Sequence, residues 1–460
     1  MEPSTVVGVD LGVTAPSEVA VAQGGVIEAG RRVASTPKGL TDGLRAAAKG
    51  RPVAIVVEST AMAWFVAAVA AVRAGIAHTL YRVSGTKAAA LRAFYRSHTK
   101  TDHIDARVLA RMPAVDEGLR TFRLPTPAEL ALRRLVGLRH KLGVGATRIA
   151  NQVRSMLHWA APGLVRAAGG SVGPGLVAVL KRWPDLRDLA RARVATIAAT
   201  GGWAPERARA VKQAAGEAAA FYEGFVDFAD LALELEVAVV QLECLKAQQA
   251  RVEGRIATMH EGLYPDDRLL TVPGVGPVVA GVVRAVVGDL SRFANLAAFR
   301  AYTGLVPRED SSGEARRRGR ISKAGPAVLR WALYLAADVA RQVDPALADL
   351  YRRLMVERGR THTQALCAVG SHLAGRIWAV ARCNREYEWR DLKGKAVSRE
   401  EARAIAQSLR VDQATRARLR AHRKGGPGAP RTRQPEAPHD ATQPSDDKVI
   451  EEALDVARKA

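Results

Sequence analysis

Residues 52–58 read Pro-Val-Ala-Ile-Val-Val-Glu, a continuous β-branched run that ends on an acid. Such a run, apolar on both sides of the pleat, marks a central strand buried on both faces of a sheet. Upstream lie three apolar or alternating runs, VVGVD at 6–10, EVAVA at 18–22 and GVIEAGRRV at 25–33. A helical pattern at 40–48 lies between these runs and residue 52, and downstream come a helical pattern at 61–74 and a fifth strand pattern, HTLYRV, at 78–83. Three strands in meander followed by strand–helix–strand predict a mixed five-stranded α/β sheet with flanking helices over residues 1–122.

From Thr126 onward strand signals nearly vanish. Leu130, Leu132, Leu135, Leu138 and Leu142 recur at spacings of two to four within 127–160, and Leu231, Leu233, Leu235, Val239, Leu242, Leu245 and Val252 alternate with Glu, Lys and Gln within 228–259. Two long amphipathic helices form either an antiparallel coiled-coil arm, a contact between copies, or part of an ordinary bundle. The domains expected are therefore an α/β domain at 1–122, a helical linker domain at 123–262, a second, mostly helical domain at 263–385 interrupted by a basic loop at 308–320, and a tail at 386–460. In the tail, 393–421 reads as charged helix, 423–447 as disordered linker and 448–458 as a short terminal helix.

Composition narrows the partners. Lys and Arg number 69 against 46 Asp and Glu, a net charge of +23, which favours a polyanion such as nucleic acid. No uncharged apolar run approaches the ~18 residues of a membrane span. The opening MEPSTVVGVDLG is not a signal peptide. Cys244, Cys367 and Cys383 are too few and too scattered for a disulfide framework or zinc knuckle, so a reduced, cytoplasmic setting is expected, with no membrane partner.

Four acids stand out: Asp10 and Glu58 at the ends of strand patterns, and Asp102 and Asp105 where helical periodicity begins in TDHIDARVLARM. Residues three apart share one helix face. An acid at the end of a buried strand is costly unless it is paired or binds a cation. Four carboxylates brought together would repel one another unless divalent ions filled the cluster, and hard oxygen donors suit Mg²⁺ or Mn²⁺. Each acid alone has a plainer role. Asp10 can initiate a turn, and Asp102 can close a capping box on Thr99. The chain order strand-Asp, strand-Glu, helix-DxxD is what makes the set informative.

That order resembles the RuvC/RNase H-like nuclease fold and, more closely, the DEDD transposases, the Piv/MooV class of recombinases that includes the IS one-ten insertion sequences. The resemblance implies that Asp10, Glu58, Asp102 and Asp105 form a catalytic, metal-binding tetrad. It extends to GLVP…SSG…ISKAG at 304–325, where a serine in an SG motif is catalytic in those transposases. The matching residue is Ser312, with Ser311 and Ser322 as alternates. The resemblance further implies donor and target DNA as partners, a bridge RNA that pairs with both, a homodimer or homotetramer, and a nucleoid-associated location when bound to DNA. It covers roughly residues 5–110 and 265–345.

The residues around these motifs carry their own readings. LLTVPGVG at 269–276 looks like a helix-hairpin-helix turn whose backbone N–H groups, at Gly274 and Gly276, could hold a phosphate, or like a tight turn between packed helices. Arg316, Arg317, Arg318, Arg320 and Lys323 follow Ser312 closely. They read as phosphate-binding cations that could stabilise a transferring group, or as a solvated basic loop that grips the DNA backbone. His103 reads as a surface histidine or an additional ligand, and no partner is assigned to His98 or His140. Trp64, Trp203 and Trp331 read as core, and Cys367 as buried and inert. An invertase with the same residues, a junction nuclease that needs only the tetrad, and a non-catalytic nucleic-acid-binding protein are the alternatives.

Overall fold

A computed structural model describes residues 5–419, apart from 13–14, 29, 60–61, 96–101, 313–314, 413 and 418, as two compact units, Met1–Thr126 and Pro127–Ala460. Thr99 and the tail segments 423–447 and 448–458 lie outside the described residues, as do the side chains of Asp102 and of residues 309–319.

The first unit runs β1 (Thr5–Asp10), β2 (Ser17–Gln23), β3 (Val26–Ile27), β4 (Arg31–Val33), α1 (Pro37–Ala47), β5 (Val53–Glu58), α2 (Ala63–Arg73), β6 (Ala77–Val83), α3 (Gly85–Tyr95) and α4 (Asp102–Val115). The sheet order is β3-β2-β1-β5-β6, with β4 also paired to β2. The β1–β2 pairing is antiparallel, while β1–β5 and β5–β6 are parallel. This mixed sheet is consistent with an RNase H-like domain. The third expected strand is divided in two, Val26–Ile27 and Arg31–Val33.

Alternation sorts the strand residues onto two faces. Val7, Val9, Val19, Val21, Ile55 and Val57 pack on one side with Leu40 and Leu44 of α1 and Trp64 of α2. On the other, Val56 and Ala54 pack with Val108, Leu109 and Met112, while Ala20 meets Ala106 and Ala110. β5 is thus buried on both faces, as its composition requires.

Gly8 sets how closely α4 can approach. A Cβ there would stand 2.2 Å from the Ala106 carbonyl oxygen and 2.4 Å from the Ala110 nitrogen. Only a glycine, opposite two alanines, lets helix backbone rest on strand backbone. Because both contacts are backbone atoms, Gly8→Ala must push the helix away. Overpacking of this kind costs ~1–3 kcal/mol. We expect a corresponding fall in the urea midpoint of the isolated melting transition of this unit, with weaker protection of α4 amides in hydrogen exchange.

The second unit is built on an antiparallel pair, α5 (Pro127–Ala160) and α11 (Phe228–Leu263). Arg139 and Glu253 pair across it, and Gly145 admits Leu245. Between them come α6 (Leu164–Ala167), α7 (Pro174–Arg182), α8 (Leu186–Arg191), α9 (Val194–Gly201) and α10 (Pro205–Phe221). These short helices bury Leu164, Leu176, Leu180, Leu189, Ile197 and Val211 against Leu157, Leu231 and Leu235 at one end of the pair.

At the other end α12 (Pro277–Val287), α13 (Leu296–Thr303), α14 (Ala327–Ala340), α15 (Pro345–Arg352) and α16 (His362–Cys383) share a core with Leu132, Val136 and Ile256. Between α13 and α14 the chain forms a hairpin, β7 (Pro307–Ser312) and β8 (Ala315–Ile321), where the sequence suggested a loop. The tail also departs from expectation. Residues 391–395 close a turn around Gly394, so helix α17 (Arg399–Ser408) starts only at its own Ser398–Glu401 capping box. Among the described residues no helix is long and apolar enough to cross a membrane.

Trp64 is buried at 3 % exposure, while Trp203 and Trp331 are partly buried against their cores. Cys367 is half-buried rather than buried, and that burial pushes its thiol up, which suits an inert side chain.

Candidate active site

Asp10 and Glu58 close neighbouring parallel strands. Val9 pairs with Val57, so the two acids follow in register at the same strand ends. By alternation both belong to the face that carries Gly8 and Val56, the α4 side. Adjacent strands lie ~4.8 Å apart, which brings the two carboxylate stems within reach of one cation. The turn after Asp10 is fastened: the Gly12 N–H donates to Ser17 Oγ at 3.2 Å, Ser17 shares a hydrogen bond with Ser35, and Ser35 Oγ donates to the Ala15 carbonyl. A Cβ on Gly85, the first residue of α3, would meet Glu58 Oε1 at 2.9 Å, so the glycine leaves room for that carboxylate.

The helical pair sits on α4. Asp102 is its first residue, and Asp105 lies one turn on, 8 % exposed. Asp105 Oδ1 accepts a 2.6 Å hydrogen bond from Arg92 Nη1 of α3. The α3 helix was not foreseen from GTKAAALRAFY, and Arg92 was missed with it; helical spacing of Ala88, Leu91 and Arg92 was the available signal.

A fifth carboxylate was also missed. Glu18, the second residue of β2, lies directly opposite Asp10 and is 5 % exposed. Its Oε1 accepts from Arg32 Nε at 2.9 Å, and its Oε2 lies 3.8 Å from His103 Nδ1. His103 is therefore drawn to a buried acid rather than left as a bare surface group. The clue was in EVAVA: Glu18 shares its face with Ala20 and Ala22, the residues beneath α4.

Among the described residues, no three His, Cys, Asp or Glu side chains form a group that could hold a metal ion. The acids are turned to cations of the protein itself, Asp105 to Arg92 and Glu18 to Arg32. Carboxylate oxygens are nonetheless the donors that a hard divalent cation takes, and Gly85 clears space at the Glu58 carboxylate.

In the second unit, β7 and β8 pair Glu309 with Arg318, Asp310 with Arg317, Ser311 with Arg316 and Ser312 with Ala315. Ser312 thus ends a strand at the far end of the hairpin, and the register sets two acids opposite two of the arginines. At the base, Ser322 N donates to the Val306 carbonyl at 2.8 Å and Arg308 Nη2 to the Ser322 carbonyl at 3.3 Å. Ser322 is separated from Ser312 by the hairpin's length, ~17 Å at ~3.4 Å per residue. Arg320 and Lys323 are exposed near that base, Lys323 with φ +55°. Gly325 of ISKAG fits where a Cβ would meet the Tyr302 carbonyl at 1.7 Å, so part of this motif is there to seat the hairpin on α13.

Gly274 adopts φ +77° and faces α14: a Cβ there would stand 2.3 Å from the Ala336 carbonyl. That is the geometry of a turn between packed helices. Gly276 precedes Pro277 at the α12 N-terminus, and a Cβ there would meet open space.

Comparison with known proteins bears on both units. A family described as transposase of the IS116/IS110/IS902 family matches residues 266–352, and a DEDD family described as transposase matches residues 7–162. An uncharacterized protein of insertion element IS110 from Streptomyces coelicolor is 28 % identical over 313 residues, 64 % of this chain and 74 % of its own. One from insertion element IS116 of Streptomyces clavuligerus is 28 % identical over 67 % of this chain and 75 % of its own. A probable family 20 transposase of Pseudomonas aeruginosa is 42 % identical over 90 residues, 20 % of this chain and 27 % of its own. The two matched segments contain, respectively, the hairpin with Ser312 and the four tetrad acids.

Proposed function

The chain belongs to the IS110 type of DEDD transposases, and from that premise we propose that it cuts and rejoins the DNA of an insertion sequence through a serine-linked intermediate. One observation carries the reading most: Asp10 and Glu58 end adjacent strands beneath the helix that bears Asp102 and Asp105. We read the first unit as a RuvC-like nuclease domain and the tetrad as its divalent-metal site, with Mg²⁺, or Mn²⁺ in its place, as the ion.

When bound, such ions polarise a phosphoryl oxygen and stabilise charge on attacking and leaving oxygens. The chain's own residues do the rest. Ser312 supplies the nucleophile: its Oγ attacks a DNA phosphorus, the P–O3′ bond breaks, and the departing 3′ oxygen gains a proton as the serine loses one. The 5′ side stays esterified to Ser312, and attack by a second strand's 3′ hydroxyl reverses the chemistry and frees the serine. Arg316, Arg317, Arg318, Arg320 and Lys323 hold phosphate oxygens nearby. Gly274 and Gly276 offer backbone N–H groups to the DNA backbone.

A homodimer or homotetramer is part of the same reading. The net charge of +23 suits donor and target DNA together with a bridge RNA, whose base pairing would read sequence while the protein grips backbone. The domain limits expected from sequence and a cytoplasmic, nucleoid-associated location belong to the same proposal.

A covalent-trapping assay tests it. Protein, Mg²⁺, labelled junction DNA and RNA transcribed from the element's flank are resolved on a denaturing gel. A protein–DNA band absent from both Ser312→Ala and Asp102→Asn is the expected result. Cleaved DNA with no attached protein, unchanged in Ser312→Ala, would leave a metal-dependent nuclease. A copy that only inverts a flanked segment would give the same band but different products on a two-site substrate.

A further inference from the structure

Helix α3 touches two of the tetrad acids. Its first residue, Gly85, stands where a Cβ would come 2.9 Å from Glu58 Oε1. About two turns on, Arg92 Nη1 donates to Asp105 Oδ1 at 2.6 Å, and the two side chains are only 21 and 11 % exposed. Ala88, Arg92 and Tyr95 follow one another at intervals of four and three residues, which sets them on one side of α3. That side meets α4: Ala88 packs with Val108, Leu109 and Met112, and Arg111 lies 4.5 Å over the Tyr95 ring. The Arg92 contact therefore sits between two other contacts of the same helix pair.

Asp105 has a use for such a partner. The next residue, Ala106, lies on Gly8 of β1, two residues before Asp10. A carboxylate has two oxygens. Among the described residues, Arg92 is the one hydrogen-bond donor to the Asp105 side chain, and it takes Oδ1. A carboxylate that ligates a metal is commonly hydrogen-bonded itself, and the bond orients it for the ion. Arginine suits this work, because its planar fork of N–H groups holds a carboxylate oxygen in a fixed direction, which the ammonium of a lysine does less well.

We propose that Arg92 is a positioning residue for the divalent cation: by holding Asp105 Oδ1 it leaves Oδ2 as the oxygen offered to the ion. The inference rests on the reading of the tetrad as a metal site and adds to it a residue outside the tetrad that acts through Asp105. Two effects of Arg92 oppose each other. Its charge repels an arriving cation, while its hydrogen bond spares the ion the cost of ordering a buried acid. The repulsion acts on an ion surrounded by carboxylates, so orientation outweighs it. The sign of the net effect on metal affinity is therefore the test.

Titration of the full chain with Mn²⁺ in the absence of DNA, followed by the paramagnetic resonance signal of the free ion, decides it. Arg92→Ala is expected to weaken Mn²⁺ binding by ~10–100-fold. Arg92→Lys, which keeps the charge and a donor, should recover part of that loss. In an Asp105→Asn background the Arg92→Ala change should alter binding by less than about twofold, because a positioning residue acts only through the group it holds. The double variant also leaves no unpaired charge, so it and Arg92→Lys carry the test if Arg92→Ala alone does not fold. Lys87→Met breaks the 2.6 Å pair between α3 and Asp116, just past the end of α4, and should leave binding unchanged. An equal loss there would assign the effect to helix packing and overturn the proposal. Binding unchanged or tighter in Arg92→Ala, with Asp10→Asn still defective, would overturn it while sparing the metal-site reading. No Mn²⁺ bound by the wild type would overturn both.

Discussion

Replacing Asp10 by Asn is expected to lower Mg²⁺-dependent DNA cleavage by more than ~100-fold while leaving the fold intact. Loss of a group that merely orients a metal ligand costs ~10–100-fold, and Asp10 is proposed as a ligand itself. It stands at the centre of the acidic row, with Glu18 across one strand pairing and Glu58 across the other. Asn keeps the shape and removes the charge, so the pairing of β1 with both neighbours should survive. A second readout separates metal binding from chemistry. A ligand that binds only the folded state raises stability by RT ln(1 + [L]/Kd). Titrating Mg²⁺ during thermal unfolding should therefore raise the wild-type midpoint and leave that of Asp10→Asn nearly flat. Equal Mg²⁺ shifts in both proteins would remove Asp10 from the metal site, whatever the cleavage assay shows.

The row that makes this prediction possible was only half visible in the sequence. Strand ends announce themselves: VVGVD and PVAIVVE stop at acids because the apolar run stops there, and the structure pairs these strands as neighbours. Glu18 did not, because a Glu before a small-residue run reads as a strand edge until the register places it opposite Asp10. Arg92 needed α3, whose alanines and lysine carry little amphipathic contrast.

The hairpin around Ser312 was read as a loop for a related reason. Arg, Ser, Glu and Asp have weak β propensity, and what holds the ribbon is its pairing register and the seating of its base, at Gly325 and at Ser322 on Val306. The long helices were legible almost to the residue. Their periodicity runs for many turns, and a short-range signal repeated that often outweighs local exceptions.

Asp267→Ala is expected to destabilise the second unit by ~3–5 kcal/mol, the range for removing one partner of a buried ion pair. The Asp267 side chain is fully buried, and it gathers three elements. Its carboxylate accepts from Arg284 of α12 at 2.6 and 2.9 Å and from the Leu269 N–H at 3.0 Å, and it lies 2.9 Å from Nε2 of the buried His260 on α11. Burial alone would raise this carboxyl. The hydrogen bonds from His260, Arg284 and Leu269, with the Arg284 charge, outweigh burial and hold it well below the usual carboxylate range.

A lowered pKa in the folded state contributes stability at every pH above the unfolded value, ~3.9, and loses it as pH falls further. The gap between wild type and Asp267→Ala in urea denaturation should be constant from pH 7 to about 5. Below about 4 it should narrow, because only the wild type then has a proton to take up on unfolding at this position. The same cluster anchors the end of α11 and the turn that leads to Gly274 and Gly276. A variant as stable as the wild type at pH 7 would mean that the cluster is held by its surroundings rather than by Asp267.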